Sequence, residues 1–582
     1  MQNNILAEKT TKTRVVVGID FGTSRSGYAY AFTNINENSQ NENIEIYGRT
    51  RWPGQPEAFP KTLTQLLYAP NGNVLAWGFE ARKKLAEIRN NSQNVEQYDF
   101  FPSFKMELHQ ELDQGDTLPS IKTPNGKEYL VTSLISDFLS LLKDEVLEEL
   151  NRNTAGYINP KEILWCLTVP AIWTDRDKQF MREAARKAGL IGLGYDEDQR
   201  LRLALEPEVA AIHCMKNAKF DLKLGNRFMV VDCGGGTVDI TVHEKVANGK
   251  LEELAAGTGG PYGSRYVDVE FLSFMRSILT AGLIDDFVSK EPLEYLEILD
   301  HWERLKCNYD PAKNEQNFRI PFPIKLYQLL EKHPEILGNL RKIQGGADEF
   351  LIIPRVNLEK MFNKIIDGII HEVHKQFSRL EQKQCDYLFL VGGFATSPLL
   401  QERVKKAFSE LVSAIIIPPR PSASVVEGAV LFGLTPIEIL RIMRVTYGCG
   451  ANMPFRSEVD PEIKKFWHKE RRTYYCKDRF SVFVHAGEKV EVNQKAVQIF
   501  NPSQSNQTSV GFTFYISPNN TPEHIDEAEV IKIGDLIVDS PDTTGGIDRE
   551  IEVSFYFGRT EIQVEAIDKN TRKQVETQLK FH

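Results

Sequence analysis

Apolar residues recur along this chain with two different periods, and the change from one to the other divides it near residue 440. Before that point, short continuous apolar runs alternate with stretches of helical spacing. Val15-Val16-Val17-Gly18-Ile19, Phe228 to Val231 and Phe389 to Val391 are runs of the first kind and predict buried strands. Val131, Leu134, Ile135, Phe138, Leu142, Val146 and Leu150 form a stripe of the second kind and predict one long helix packed on a core. A shorter helix is predicted after Thr174-Asp175, where Phe180, Met181, Ala184, Ala185 and Ala188 keep the spacing, with Gly189 as its C-cap. Beyond residue 440 the period falls to two: Val490, Val492, Ala496, Val497 and Ile499, then Val510, Phe512, Phe514 and Ile516. Ile551, Val553, Phe555 and Phe557 follow, then Ile562, Val564 and Ala566, with Asp568 to Thr571 as a turn before Val575. The pattern predicts a polar tail over 1–12, an α/β unit over 13–440 and an antiparallel β-sandwich over 441–582.

The predicted strands end in glycine turns, which is where chemistry enters. Asp20 closes the first run, and Gly22, Thr23 and Ser24 follow as a tight reversal whose amides and hydroxyls suit phosphate. The second run repeats the design with Asp232, then Gly234, Gly235, Gly236 and Thr237; the third ends in Gly392, Gly393 and Phe394. The repetition points to an internal duplication and a two-lobed clamp on ATP or ADP. Asp20 and Asp232 have the chemistry to hold a hydrated Mg²⁺, which keeps several waters and takes few carboxylates directly. Asp239 is placed to orient the attacking water. The sequence contains no GxxxxGK[ST] loop, so the phosphates are expected between lobes and not on one helix.

These segments resemble the phosphate and adenosine motifs of the actin-like ATPase superfamily, and in particular of the heat shock 70 kDa protein family. The resemblance implies a duplicated, ribonuclease-H-like ATPase domain over about residues 14 to 440. Val169-Pro170-Ala171 and Leu205 to Ile212 resemble the stretches around the first interlobe connection, and Ser422 to Gly428 resembles the start of the second. By the same resemblance Glu206 is a further Mg²⁺-water ligand, Glu303 and Lys306 hydrogen-bond the ribose and adenine, and Lys105 is the lysine aimed at the γ-phosphate. Ile551 to Phe581 resembles the end of the family's peptide-binding β domain, so a client polypeptide or one dedicated partner is implied. A nucleotide exchange factor is implied with it.

The chain also departs from its relatives. The resemblance runs to the end of the β domain near His582, so the helical lid and acidic tail of typical members are not expected. Thr396 and Cys307 stand where the family commonly has the two arginines that bring guanidinium groups to the adenine, and Phe394 where it commonly has serine, although the Phe394 ring offers a face for the base. Leu434 to Val445 lacks the family's acid-leucine linker. These traits are most similar to the divergent, lid-less heat shock 70 kDa protein 12-like branch.

Composition narrows the function classes. Among 582 residues the formal net charge is −10, which argues against a general nucleic-acid or anionic-membrane binder. Seven cysteines without CxxC pairs suit a reducing compartment, and no apolar run has transmembrane length, so the expected location is cytoplasmic. His371 and His374 stand three residues apart, where a zinc-protease helix needs four. The basic, aromatic stretch Ile463 to Arg472 is expected to be a solvated insertion. The favoured function is a nucleotide-driven chaperone with slow ATP hydrolysis. A nucleotide-binding adaptor with little turnover, and a small-molecule kinase of the same superfamily, stay open.

Overall fold

The computed structural model describes residues 13–33, 44–56, 58–91, 94–109, 119–154, 157–192, 199–217, 222–380, 384–557, 562–572 and 574–578. The polar N-terminal tail expected over 1–12 lies outside them.

Lobe I is built on β1 (Val15–Phe21), β2 (Arg25–Phe32), β3 (Tyr47–Gly48), β4 (Thr62–Leu63), β5 (Ile163–Val169) and β6 (Leu201–Leu205). The sheet order is β6-β5-β1-β2-β3, with β1 antiparallel to β2 and parallel to β5. Lobe II carries β7 (Arg227–Cys233), β8 (Val238–Lys245), β9 (Leu251–Gly260), β10 (Tyr387–Val391) and β11 (Ala414–Ile416). Its order is β11-β10-β7-β8-β9, with β7 antiparallel to β8 and parallel to β10. The two sheets thus repeat one arrangement, and Asp20 and Asp232 occupy equivalent places near the ends of β1 and β7. A further strand, β12 (Ile439–Ile442), continues the lobe II sheet parallel to β9.

Every residue of β1 is buried because both faces of its sheet are covered. Val15, Val17 and Ile19 face one apolar cluster and Val16 faces another. The first cluster includes helix α2 (Val131–Asn153), which follows α1 (Gly78–Asn90) in lobe I; all seven residues of its predicted stripe are fully buried. Each buried aliphatic side chain of this kind stabilises by about 1.5–3 kcal/mol. Helix α3 (Asp175–Lys187) begins as predicted: Thr174 Oγ1 accepts from the Asp177 amide, Asp177 accepts from the Thr174 amide, and Gly189 closes the run at φ +74°. Helix α4 (Glu206–Asn217) starts directly from β6. In lobe II, α5 (Arg265–Leu279), α6 (Pro292–Asn308) and α7 (Arg355–Ser378) surround a core that includes Phe271, Trp302 and Phe362. The last helix, α8 (Ser424–Leu434), packs against both α4 and β1. Glycines allow this approach: a Cβ on Gly428 would fall 1.9 Å from the Val209 carbonyl oxygen, and one on Gly18 would fall 2.7 Å from that of Val426.

The chain then forms β13 (Thr446–Pro454), β14 (Lys465–His468), β15 (Thr473–Val484), β16 (Lys489–Val490), β17 (Gln494–Phe500), β18 (Ser509–Ser517), β19 (Ile531–Asp539), β20 (Ile551–Phe557), β21 (Gln563–Asp568) and β22 (Gln574–Gln578). They make two antiparallel sheets, β14-β15-β13-β18-β19 and β17-β20-β21-β22. One core joins the sheets: Cys449, Phe514 and Val538 from the first meet Val553, Phe555 and Phe557 from the second, and the Phe514 and Phe555 rings are 5.2 Å apart. The alternation over 490–499 is not one strand. Asn493 takes φ +64° and splits it, so that β16 leaves the unit to pair with β12. The basic stretch Ile463 to Arg472 is exposed or half-buried throughout, as expected of a solvated insertion in the β unit, and is ordered as a hairpin: β14 pairs with β15, and Trp467 meets Tyr474 edge to face at 5.1 Å. Among the described residues, no helix is long and apolar enough to cross a membrane.

Candidate functional site between the lobes

The cleft gathers acids from both lobes. Asp20, Glu206, Asp232 and Asp239 are each 9 % exposed or less. Asp20 is the penultimate residue of β1, Glu206 is the first residue of α4, and Asp232 and Asp239 face each other across the β7–β8 hairpin. They sense one another. Burial raises the Asp232 carboxyl well above its usual range, and the charges of Glu206, Asp239 and Asp20 push it the same way. Glu206 is pushed up to about 7, first by burial, with Asp20 and Asp239 adding to the shift and Lys105 opposing it. Asp239 is raised too, by burial, against a 3.0 Å bond from Thr237 Oγ1 and a 3.1 Å bond from the Ala171 amide.

Lysines from lobe I face this cluster. Lys61 Nζ lies 2.5 Å from Asp20 Oδ2, and Lys105 Nζ lies 2.8 Å from Glu206 Oε1. Burial works against the Lys61 ammonium, but Asp20, Asp232 and Glu206 together hold it charged. Lys105 is 1 % exposed and sits between the rings of Phe21 and Trp173, at 5.7 and 5.1 Å from their centroids. Four buried carboxyl groups against two ammonium groups are a set that a divalent cation would allow to ionise together. The donors are hard oxygens, which fits Mg²⁺.

The glycine turns lie against one another over these acids. A Cβ on Gly235 would fall 2.4 Å from Ser24 Oγ, and one on Gly236 would fall 2.8 Å from Thr23 Cγ2. The second turn is fixed from behind: the amides of Gly263, Ser264 and Arg265, at the start of α5, donate to the carbonyls of Gly236, Gly234 and Gly235 at 2.9–3.2 Å. Those carbonyls are thereby occupied and the Gly234 amide donates to the Thr237 carbonyl at 2.9 Å, so the turn offers a ligand the amides of Gly235 and Gly236. Gly22 is held by Thr64 Oγ1, which donates to its carbonyl at 2.8 Å. Gly392 has φ +91°, and a Cβ there would fall 2.3 Å from Asp232 Oδ1. The third turn thus touches the second lobe's acid directly. Gly393 begins the short turn that carries Phe394.

Glu303 and Lys306 lie on α6 and are already paired. Lys306 Nζ is 2.7 Å from both Glu303 Oε2 and Asp268 Oδ1, and Arg25 of lobe I reaches Glu303 Oε1 at 2.6 Å. Burial opposes ionisation of Glu303, but Lys306 and Arg25 outweigh it and hold its carboxyl at about 2. With Arg82–Asp300 at 2.7 Å and Arg265–Ser103 at 3.1 Å, this pair ties lobe I to lobe II. The Phe394 ring is in the lobe II core, 4 % exposed and stacked near Phe362 at 6.3 Å. It is not presented as a face for a base. The exposed thiol of Cys307 lies 3.6 Å from Glu303 Oε1.

Lys61, Arg25 and Asp268 are the residues of this site that motif reading passes over. Lys61 follows a proline in a stretch without a turn signal, and only the fold brings it to Asp20. His371 and His374 lie on exposed positions of α7, outside the cleft.

The family model described as Hsp70 protein matches residues 89–448. The chain is 32 % identical to human Heat shock 70 kDa protein 12A, across 97 % of its own length and 91 % of the relative's. The mouse 12A protein matches at the same identity and coverage. Human Heat shock 70 kDa protein 12B is 28 % identical, across 99 % of this chain and 92 % of that protein. The chain therefore belongs to the Hsp70 family, on the divergent side of it represented by the 12A and 12B proteins, and carries that family's nucleotide-binding domain.

Proposed function

We propose that this protein is a slow ATPase of chaperone type, in which the nucleotide held by residues 13–440 sets how tightly the β unit over 441–582 grips an extended polypeptide. The observation that carries the proposal is the convergence of Asp20, Glu206, Asp232 and Asp239, from both lobes, into one buried cluster beneath two opposed glycine turns.

Asp20, Glu206 and Asp232 would hold Mg²⁺ through water, and Asp239 would orient the attacking water as the residue fixed by Thr237 and the Ala171 amide. The metal would supply charge neutralisation at the phosphates. Lys105, held against Glu206, would place positive charge where the leaving phosphoryl group gains negative charge. Thr23 and Ser24 add hydroxyl donors beside the amides of Gly235 and Gly236, while the Gly22 amide donates to Ser26 Oγ at 3.1 Å, the Gly234 amide to the Thr237 carbonyl at 2.9 Å and the Thr237 hydroxyl to Asp239.

A covalent and a polar path join the cleft to the β unit. Strand β12 pairs with β9 of lobe II on one side and with β16 of the β unit on the other. Arg441, on β12, is paired with Glu208, two residues after Glu206 on α4, at 2.5 Å. Tyr447 Oη donates to Asp175 Oδ2 at 2.6 Å at the start of α3. A change of lobe angle would therefore strain the same strand that holds the β unit in place. Under this reading the two-sheet unit is a β-sandwich that binds a client segment, and release of ADP is the step an exchange factor would serve.

The test is turnover and coupling together. Purified protein should hydrolyse ATP slowly, Asp232→Ala should abolish turnover with the fold intact, and fluorescent peptide should bind differently with ATP and ADP. Undiminished turnover in the variant would refute the metal assignment. A second reading, an adaptor with little turnover, is favoured by one observation: Glu303 and Lys306 are already committed to Arg25 and Asp268, which leaves fewer contacts for adenosine. Equal peptide affinity in both nucleotide states would select it, since a ligand without differential affinity shifts nothing.

A further inference from the structure

The β unit contains a second set of converging donors, remote in sequence from the nucleotide cleft. Asp460, Cys476 and His524 are all buried, and their ligand atoms lie within 4.8 Å of one another. Cys476 Sγ is 3.7 Å from His524 Nε2, and that nitrogen is 3.5 Å from Asp460 Oδ1. The donors come from separate segments. Asp460 precedes β14, Cys476 is on β15 where its pairing with β13 shifts register, and His524 is on the loop between β18 and β19.

A thiol, imidazole and carboxylate could instead form a proton relay, but the geometry argues against it. A relay needs both ring nitrogens, one toward the thiol and one toward the carboxylate. Here both partners face Nε2, while Nδ1 is 3.9 Å from Glu527 Oε1. One nitrogen cannot serve both in hydrogen bonds at once, whereas one metal ion can bond all three atoms. Zinc bound at about 2.3 Å to sulfur and about 2.0–2.2 Å to nitrogen and oxygen places tetrahedral neighbours about 3.3–3.6 Å apart. The observed 3.5 and 3.7 Å lie near that spacing, and the sulfur and the carboxylate are within 4.8 Å of each other.

The surroundings are balanced in charge. Burial opposes ionisation of Asp460, but the Arg456 amide at 2.7 Å and its guanidinium at 3.2 Å outweigh it and hold the carboxyl below its usual range. Arg456 and Arg479 would repel a cation, yet both are also set against Glu523. Glu527 accepts from the His524 amide at 2.8 Å and adds further negative charge.

We propose that Asp460, Cys476 and His524 bind a borderline-soft divalent cation, Zn²⁺ in the first place, with water in the fourth position. Binding releases the Cys476 thiol proton to solvent as the thiolate bonds the metal. The ion would pin the loop between β18 and β19 onto the edge of β15, where Ile525 already donates to the Asp478 carbonyl at 3.0 Å and Phe480 to that of Glu523 at 2.9 Å.

The experiment uses the full chain, stripped with chelator and titrated with Co²⁺. Wild type should develop thiolate-to-cobalt charge-transfer absorption that saturates at about one metal per chain and is bleached by Zn²⁺. Cys307→Ser, which removes the exposed thiol, should leave the spectrum unchanged, while Cys476→Ser and His524→Gln should weaken Co²⁺ binding by more than ~100-fold. Zn²⁺ should raise the unfolding midpoint of wild type but not of Cys476→Ser. Absence of the absorption from wild type at saturating Co²⁺ overturns the site whether or not the variants fold. Its persistence in folded Cys476→Ser, or its loss in Cys307→Ser, overturns it equally.

Discussion

Lys105 donates to Glu206 across 2.8 Å in the interior of the cleft, joining the short turn over Lys105–His109, between β4 and β5, to the first residue of α4. The lysine is held by Phe21 and Trp173 as well as by its charge partner, so its ammonium is fixed before any nucleotide arrives. Lys105→Met should lower single-turnover ATP hydrolysis by about 10²–10³-fold, the loss seen when one preorganised donor is removed. ADP affinity should stay within about threefold, because in the proposed role the lysine would act on charge that develops in the transition state.

Gly392 is the backbone position with least tolerance in the site. Its φ of +91° excludes most side chains, and a Cβ would fall 2.3 Å from Asp232 Oδ1. Gly392→Ala should destabilise the protein by about 1–3 kcal/mol through backbone strain alone. It should also weaken Mg·ADP binding by displacing Asp232. Denaturant unfolding and calorimetric titration of the same preparation check both effects.

Acid sensitivity should come in part from His243. Burial, with Arg441 adding to it, pushes its imidazole down to about 3. A histidine lowered in the folded state contributes stability that is full above the unfolded value near 6.5 and is lost as pH falls toward 3. Between pH 7 and pH 5 this residue should cost about 2 kcal/mol. Urea unfolding at the two pH values should show that loss in wild type and its absence in His243→Gln.

The join between the nucleotide lobes and the β unit should depend on Arg441. It is paired with Glu208, which is 4 % exposed, so Arg441→Ala leaves a buried carboxylate without that partner. The expected cost is about 3 kcal/mol. Proteolysis between residues 434 and 446 should accelerate, and any nucleotide dependence of peptide binding should shrink. Tyr447→Phe, which removes only the bond to Asp175, should give a milder version of the same change.

What the sequence disclosed of this architecture was its local part. The strands that carry Asp20 and Asp232 near their ends and the glycine turns after them are each written in a few consecutive residues, and the fully buried stripe of α2 is written in its spacing. Contacts between distant segments were not legible. Lys61 meets Asp20 only because β4 and the residues before it fold beside β2, and Arg25 meets Glu303 only because the lobes close. Phe394 shows the opposite failure. Its motif suggested a face for adenine, but a short turn over Phe394–Thr396 places the ring against Phe362 in the core. Leu434 to Val445 lacks a known linker pattern, yet Ile439–Ile442 forms a strand, because a free sheet edge asks only for extended backbone.

The central claim is that acids from both lobes share one magnesium-bound nucleotide. Calorimetric titration of ADP into the full chain, with and without Mg²⁺, and into Asp232→Ala tests it most directly. Binding of about one nucleotide per chain that strengthens at least ~10-fold with Mg²⁺, and loses that gain in Asp232→Ala, is the expected result. Binding indifferent to Mg²⁺, or equally strengthened by it in the variant, would contradict the account.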